Sequence, residues 1–250
     1  MTASTPGSRD SPGARDGGTW ARLHEVLTEP GSSASAPLRI CAAATDLLSV
    51  SGATISISGE LGMPAMVCST DDRARRVNDL QVALGEGPGL TAMELGQPVL
   101  VPDLGARSET RWPMFTRSAL AAGVCSIFAF PLRIGAIGLG VLDLYRDRPG
   151  RMGERQLSDA LLVADAATLA VIREQDERPA GDLDQEWWDL DSFYRVEVNQ
   201  ATGMVMAQLG VVPVEALLRL RGYAFAQGLS LIDASRAIIE RRVRLTGEVS

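Results

Sequence analysis

The chain has no lysine: its 24 basic residues are all arginine, set against 31 acidic residues for a formal net charge of -7. That absence removes the Schiff-base amine, the P-loop lysine and the kinase strand lysine from consideration. Histidine is nearly as scarce. The single imidazole, His24, follows a Gly/Ser-rich segment and reads as a solvent-facing helix residue, so neither a Ser/His/Asp triad nor a multi-histidine metal site is expected. No apolar stretch approaches the roughly 20 residues that cross a bilayer. The opening MTASTPGSRDSPGARDGG lacks the apolar core of a secretory signal, which makes the cytoplasm the expected location. Cysteine is limited to Cys41, Cys68 and Cys125, odd in number and embedded in apolar runs. They read as small, reduced core residues rather than a disulfide framework. The expectation is therefore of a chain that is not an enzyme and has no catalytic residue, metal or cofactor.

What is present suits a globular protein of two modules: 250 residues, 46% apolar and 22% charged, more than one small domain requires. Residues 1–18, rich in Gly, Ser, Pro and Asp, are too polar to bury and read as a disordered tail. Residues 19–37 read as a short helix and linker, with Thr19 as N-cap and Trp20, Leu23 and Leu27 on one stripe. Leu38 to Val50 continues helically, with Leu38, Ala42 and Leu47 or Leu48 inward. GATISIS and MPAMVCS then read as a hairpin. A helix from Asp71 to Leu84 ends in GEGPGL. There Gly85, Gly87 and Gly89 have the wrong spacing for a dinucleotide fingerprint and read as a turn. A short helix, the strand QPVLVPDL and the helix RWPMFTRSALAAGV follow, with Trp112 as a core anchor. SIFAFPLRI and GLGVLDLYR read as adjacent antiparallel strands. Arg155 to Arg173 closes the module as a helix with Leu157, Leu161, Ala164 or Asp165, Thr168 and Ile172 inward.

This order predicts an α+β fold, an antiparallel sheet flanked by helices. The segments GEGPGLTAMELGQPVLVPDL and WPMFTRSALAAGVCSIFAFPLRIGAIGLGVLDLY resemble a GAF domain of the type common in actinobacterial regulators, and residues 38–175 are assigned to it. An arginine-only basic complement also suits a GC-rich genome. The resemblance implies a sensor domain with a small-molecule ligand between sheet and helices, although no residue identifies that ligand.

Residues 176–186, DERPAGDLDQE, read as a linker. Residues 187–250 read as an all-α three-helix unit. Its first helix runs from Asp189 to Leu209 with Leu190, Tyr194, Val198, Ala201, Val205 and Leu209 inward, and stops at Gly210. The second, from Pro213, buries Leu217, Leu220 and Ala224 and ends at Gly228. The third starts at Ser230 with Leu231, Ala234 and Ile238 inward. Gln200 to Met206, Leu220 to Ala224 and the leucine-led third helix, in this order, resemble an ANTAR domain, the RNA-binding module of transcription antiterminators. The resemblance implies RNA hairpins in nascent transcripts as partners of a homodimer; the lack of an apolar span leads to no expected membrane partner.

Gln200, Ala201 and Thr202 are candidate RNA contacts, Thr202 through a hydroxyl that can donate to phosphate. Arg219, Arg221, Arg236, Arg241 and Arg242 are candidates by charge, and Tyr223 as a platform for a splayed base. Between Pro213 and Leu245, six arginines face three acids, a local +3 on an acidic protein. Arginines at a helix C-terminus also complement its dipole. Two alternatives stay open: helices that bind duplex DNA, and helices that dock a protein partner.

Overall fold

The computed structural model describes residues 13–28, 34–59, 64–176 and 189–246. Residues 1–12 of the expected tail, and all of the expected linker after Asp176, lie outside the described residues. In chain order the first module consists of α1 (Gly13–Thr28), α2 (Ala36–Leu48), β1 (Gly52–Ser58), β2 (Pro64–Ser69), α3 (Asp72–Leu84), α4 (Pro88–Leu95), β3 (Val99–Val101), α5 (Pro113–Ala121), β4 (Ser126–Ile134), β5 (Ile137–Arg146) and α6 (Glu154–Asp176). The strands form one antiparallel sheet in the order β2-β1-β5-β4-β3.

Side chains alternate across a strand, and the sheet uses its two faces differently. One face sends Ala53, Ile55, Phe128, Phe130, Leu132, Leu142 and Leu144 into an apolar core with α1, α2 and α6. The other carries Ile127, Ala129, Val141 and Tyr145 beneath α3, α4 and α5. On that second face it also buries Thr54, Ser56 and Asp143. Caps set the helix starts: Ser35 Oγ accepts from Leu38 N, and Asp71 Oδ1 accepts from Arg73 N and Ala74 N. Gly140 is required by close approach, because a Cβ there would collide with the backbone of Ser56 on β1.

Three local expectations are corrected. Helix α1 begins at Gly13 rather than after the tail, and Thr19 is no cap: its hydroxyl donates to Asp159 on α6 at 2.8 Å. Leu23 and Leu27 are buried as expected, whereas Trp20 is 39% exposed. In α2 the inward stripe is Ile40, Cys41, Ala44 and Leu48, and Ala42 faces out. In α6 Ala164 and Thr168 are buried as expected, together with Ala160, Val163, Ala166, Ala167, Ala170 and Val171, while Leu161 is 45% exposed. The alanines win this face because a helix wedged against both a sheet and α2 needs small side chains to approach closely.

The second module is the bundle α7 (Asp189–Leu209), α8 (Pro213–Ala226) and α9 (Leu231–Ile239). Val198, Ala201, Val205, Leu217, Leu220, Ala224, Leu231, Ala234 and Ile238 are all buried in one core. Gly210 and Gly228 take φ of +67° and +64°, the left-handed angles that end α7 and reverse the chain after α8. Ser230 caps α9 by accepting from Asp233 N, and its own hydroxyl donates back to the Asp233 carboxylate at 2.6 Å. The bundle is seated on the first module through α3: Val82 is 5% exposed and belongs to the bundle's apolar core, with Ala83 packed beside it.

Candidate functional site

The residues expected at an RNA surface fall into three groups. Ala201 and Thr202 are at most 1% exposed. The Thr202 hydroxyl donates to Val198 O at 2.7 Å, so it is spent within its own helix and does not face a phosphate. Both expectations are corrected by the same cause: the first helix directs these positions inward. Gln200 is exposed on α7, one turn from Glu197. Arg236 of α9 reaches Glu197 at 3.0 Å, so Gln200 and Arg236 share the α7–α9 side of the bundle.

On α8, residues four apart share a face and residues two apart lie on nearly opposite sides. Arg219 and Tyr223 therefore stand together, each half-buried. Arg221 turns the other way, toward the sensor module. There its guanidinium lies over the end of α3, and a Cβ built at Gly85 would stand 2.9 Å from Nη1. Of the three α8 candidates, Arg219 and Tyr223 therefore share a side and Arg221 does not. Arg241 and Arg242 are exposed after α9, Arg241 with φ of +59°.

In the bundle, Arg219 pairs with Glu215 at 3.4 Å, Arg236 with Glu197 at 3.0 Å and Arg242 with Glu240 at 2.5 Å. Surface pairs of this kind contribute about 0–1 kcal/mol, so a polyanion can displace these acids. A further surface is apolar. Val214, Leu218 and Phe225, on one side of α8, are 61–66% exposed, and Leu229 in the turn after it is 40% exposed.

Inside the sensor module, the polar sheet face carries a bridge that sequence reasoning missed. Gln81 Nε2 donates to Asp143 Oδ2 at 2.6 Å, and Gln81 Oε1 accepts from Gly89 N at 2.7 Å. Among the described residues Asp143 Oδ1 has no hydrogen-bond partner. Burial raises the Asp143 carboxyl to about 7, only partly offset by the Gln81 hydrogen bond. Beside it Ser56 Oγ donates to Asn78 Oδ1 at 2.8 Å. The Tyr145 hydroxyl donates to Asp71 at 3.0 Å, and burial together with that carboxylate pushes the phenol up to about 12. The one available signal was Asp143 itself, an acid inside the apolar run GLGVLDLYR.

The glycine turn is built around this bridge. Gly85 and Gly87 take φ of +67° and +150°, and a Cβ at Gly89 would stand 2.5 Å from Asp143 Oδ2. Glu86 between them accepts from Met114 N and Phe115 N at the start of α5, where Trp112 offers no side-chain cap. Trp112 is the expected core anchor, 4% exposed, with Nε1 donating to Thr91. Among the described residues, no group of three or more His, Cys, Asp or Glu could hold a metal ion. None of the described helices is by itself long and apolar enough to cross a membrane.

A five-stranded antiparallel sheet between two helical layers, joined to a three-helix bundle, defines a two-module chain with a sensor-type domain in front. Residues 38–171 match the GAF domain model and residues 194–239 match the ANTAR domain model. The chain belongs to the GAF domain family and carries an ANTAR domain behind it. An ANTAR domain implies RNA binding and antitermination, a GAF domain implies sensing, and the combination suggests a regulator. Among solved structures, the chain is similar to the GAF domain of a phosphoenolpyruvate-protein phosphotransferase from Coxiella burnetii. That match has 13% identity and a TM-score of 0.50, over 67% of this chain and 98% of that one. The GAF domain of the Acinetobacter phosphoenolpyruvate-protein phosphotransferase is also similar, with 15% identity and a TM-score of 0.48, over 65% of this chain and 96% of that one. No curated protein matches the chain.

Proposed function

We propose that this chain is a transcription antiterminator in which the GAF domain controls an ANTAR bundle that binds hairpin RNA in nascent transcripts. The observation that carries this reading is the ANTAR match across α7, α8 and α9. The RNA-facing set is Gln200, Arg219, Tyr223, Arg236, Arg241 and Arg242. Arginines exchange their surface carboxylates for phosphates, and Tyr223 stacks on a loop base. Ala201 and Thr202 hold the bundle together instead, and Arg221 holds it to the sensor.

Control runs through the seat of the bundle on α3. Gln81 grips Asp143 and Gly89 in the sensor interior, one turn before Gly85, over which Arg221 lies. A ligand that rearranges the Gln81 bridge therefore moves the surface on which the bundle rests. The protein does no covalent chemistry in this role, which is performed in the cytoplasm, where transcripts emerge. A homodimer presents two bundles to paired hairpins, and sedimentation at micromolar concentration tests it: a monomer mass would remove that part of the reading. The lysine-free composition fits an actinobacterial source.

The test is alanine substitution read by titration with a tandem-hairpin RNA. Arg219→Ala with Tyr223→Ala should abolish binding at unchanged helicity, Tyr223 alone accounting for about 1–3 kcal/mol. Arg221→Ala should retain RNA binding. Full binding by the double variant would sink the surface assignment. The exposed apolar row Val214, Leu218, Phe225 and Leu229 favours a second reading, in which α8 docks a protein partner; its affinity would depend little on salt.

A further inference from the structure

Two of the three cysteines meet in the core of the GAF domain. Cys41 on the inward stripe of α2 and Cys68 on the edge strand β2 bring their sulfurs to 3.2 Å, with 27 residues of chain separation. Both are free thiols in the structure, and Cys125 is also free. Cys41 is fully buried and Cys68 is 9% exposed, among Ile40, Ala44, Ala53 and Ile55 of the apolar core. The sulfurs are about 1.2 Å beyond covalent distance. They lie on two elements already packed together, so closing the bond asks for a small shift rather than a rearrangement.

We propose that Cys41 and Cys68 are a reversible oxidation site, closing to a disulfide that ties α2 to β2 when the protein meets a hydroperoxide. The less buried Cys68 reacts first. Its thiolate attacks the peroxide oxygen, the O–O bond breaks, and Cys68 becomes a sulfenic acid while the peroxide leaves as an alcohol, or as water from hydrogen peroxide. Cys41 sulfur then attacks the Cys68 sulfur, and the sulfenic oxygen leaves as water with the Cys41 proton. In sum, two thiols and one hydroperoxide give one disulfide, one alcohol and one water: two electrons pass from sulfur to oxygen. A dithiol reductant reverses the change by exchange. Burial raises the Cys41 thiol, with its hydrogen bond to Cys68 adding to the effect. A protonated thiol is a poor nucleophile, so Cys41 must give up its proton as it attacks, and closing the bond is the slower of the two steps. The tie fixes the edge strand β2 to the helix that packs on α6.

The test uses the full chain without RNA and so stands apart from the antiterminator reading. The protein is treated with excess hydrogen peroxide, denatured, alkylated with a maleimide and weighed. Oxidised protein should take up one maleimide, at Cys125, and dithiothreitol should restore all three. With no lysine present, arginine-specific cleavage leaves both cysteines on the single peptide from Ile40 to Arg73. That peptide should be lighter by two hydrogens apart from any oxygen gained at methionine, and fragmentation of its backbone between Cys41 and Cys68 should leave its ends joined. Closing a loop of this length should raise the unfolding temperature by roughly 5–10 °C, and Cys41→Ser should lose the rise. Three maleimides after oxidation, or a bond that includes Cys125, would overturn the proposal.

Discussion

The two faces of the GAF sheet are made by the same strands and do different work. Toward α1, α2 and α6 the central strands send a row of apolar side chains from Ala53 to Leu144, answered mainly by alanine, valine and leucine, and the polar exceptions, Ser126 and Arg146, sit together at the end of β4 and β5. Toward α3 and α4 the same strands present Thr54, Ser56 and Asp143, answered by Asn78 and Gln81. A buried polar group costs stability unless paired, so the second face gives up stability that the first supplies. An interior of that kind suits a domain that must change state, because exchanging hydrogen bonds is cheaper than repacking a filled apolar layer.

The contrast is sharpest at Phe130, fully buried on the apolar face. Phe130→Ala should cost about 3–5 kcal/mol in a denaturant titration; a loss under about 1 kcal/mol would mean that the packed face is not the one that stabilises the domain.

Asp143→Asn should work in the opposite direction. The folded chain keeps the Asp143 proton up to about pH 7, whereas the unfolded chain releases it near the ordinary carboxylate value of about 4. Across that window the folded state binds more protons. The contribution is therefore fully present below about pH 4 and is lost as pH rises toward 7. Removing the charge should stabilise the protein at pH 8 by about 2–4 kcal/mol and flatten the fall between pH 4 and 7. A parent protein whose stability rises across the window would contradict the assignment.

Smaller effects follow. Ser56→Ala strips Asn78 of its donor and should cost about 1–3 kcal/mol by thermal unfolding. Leu161→Ala, at an exposed position on α6, should stay within about 0.5 kcal/mol of the parent.

These last two residues also show where sequence reasoning reached its limit. Apolar β-rich runs, helical stripes and glycine turns are local, and they carried the five strands, the α+β class and the bundle core from Val198 down to Leu217, Leu220 and Ala224, whereas the Leu190 and Tyr194 side chains of the expected stripe lie outside the described residues. On α6, Ala164 and Thr168 were read inward correctly, but Leu161 was misplaced because leucines look more buried than alanines, and only the sheet and α2 reveal that small residues are needed there. Asp143 was passed over inside an apolar run, and its partner Gln81 is 62 residues away. Arg221 was grouped with Arg219 by type, whereas the helix turn and the seat on α3 separate them. The Cys41–Cys68 contact joins a helix to a strand, which no local pattern specifies.

The bundle is proposed to read RNA. A titration of the full chain against tandem-hairpin RNA and against duplex DNA of equal length, at two salt concentrations, tests it most directly. The account predicts tight binding to the hairpins that weakens steeply with salt, because counterions are released from the phosphates, and far weaker binding to the duplex. Equal affinity for both nucleic acids, or affinity for neither, would contradict it.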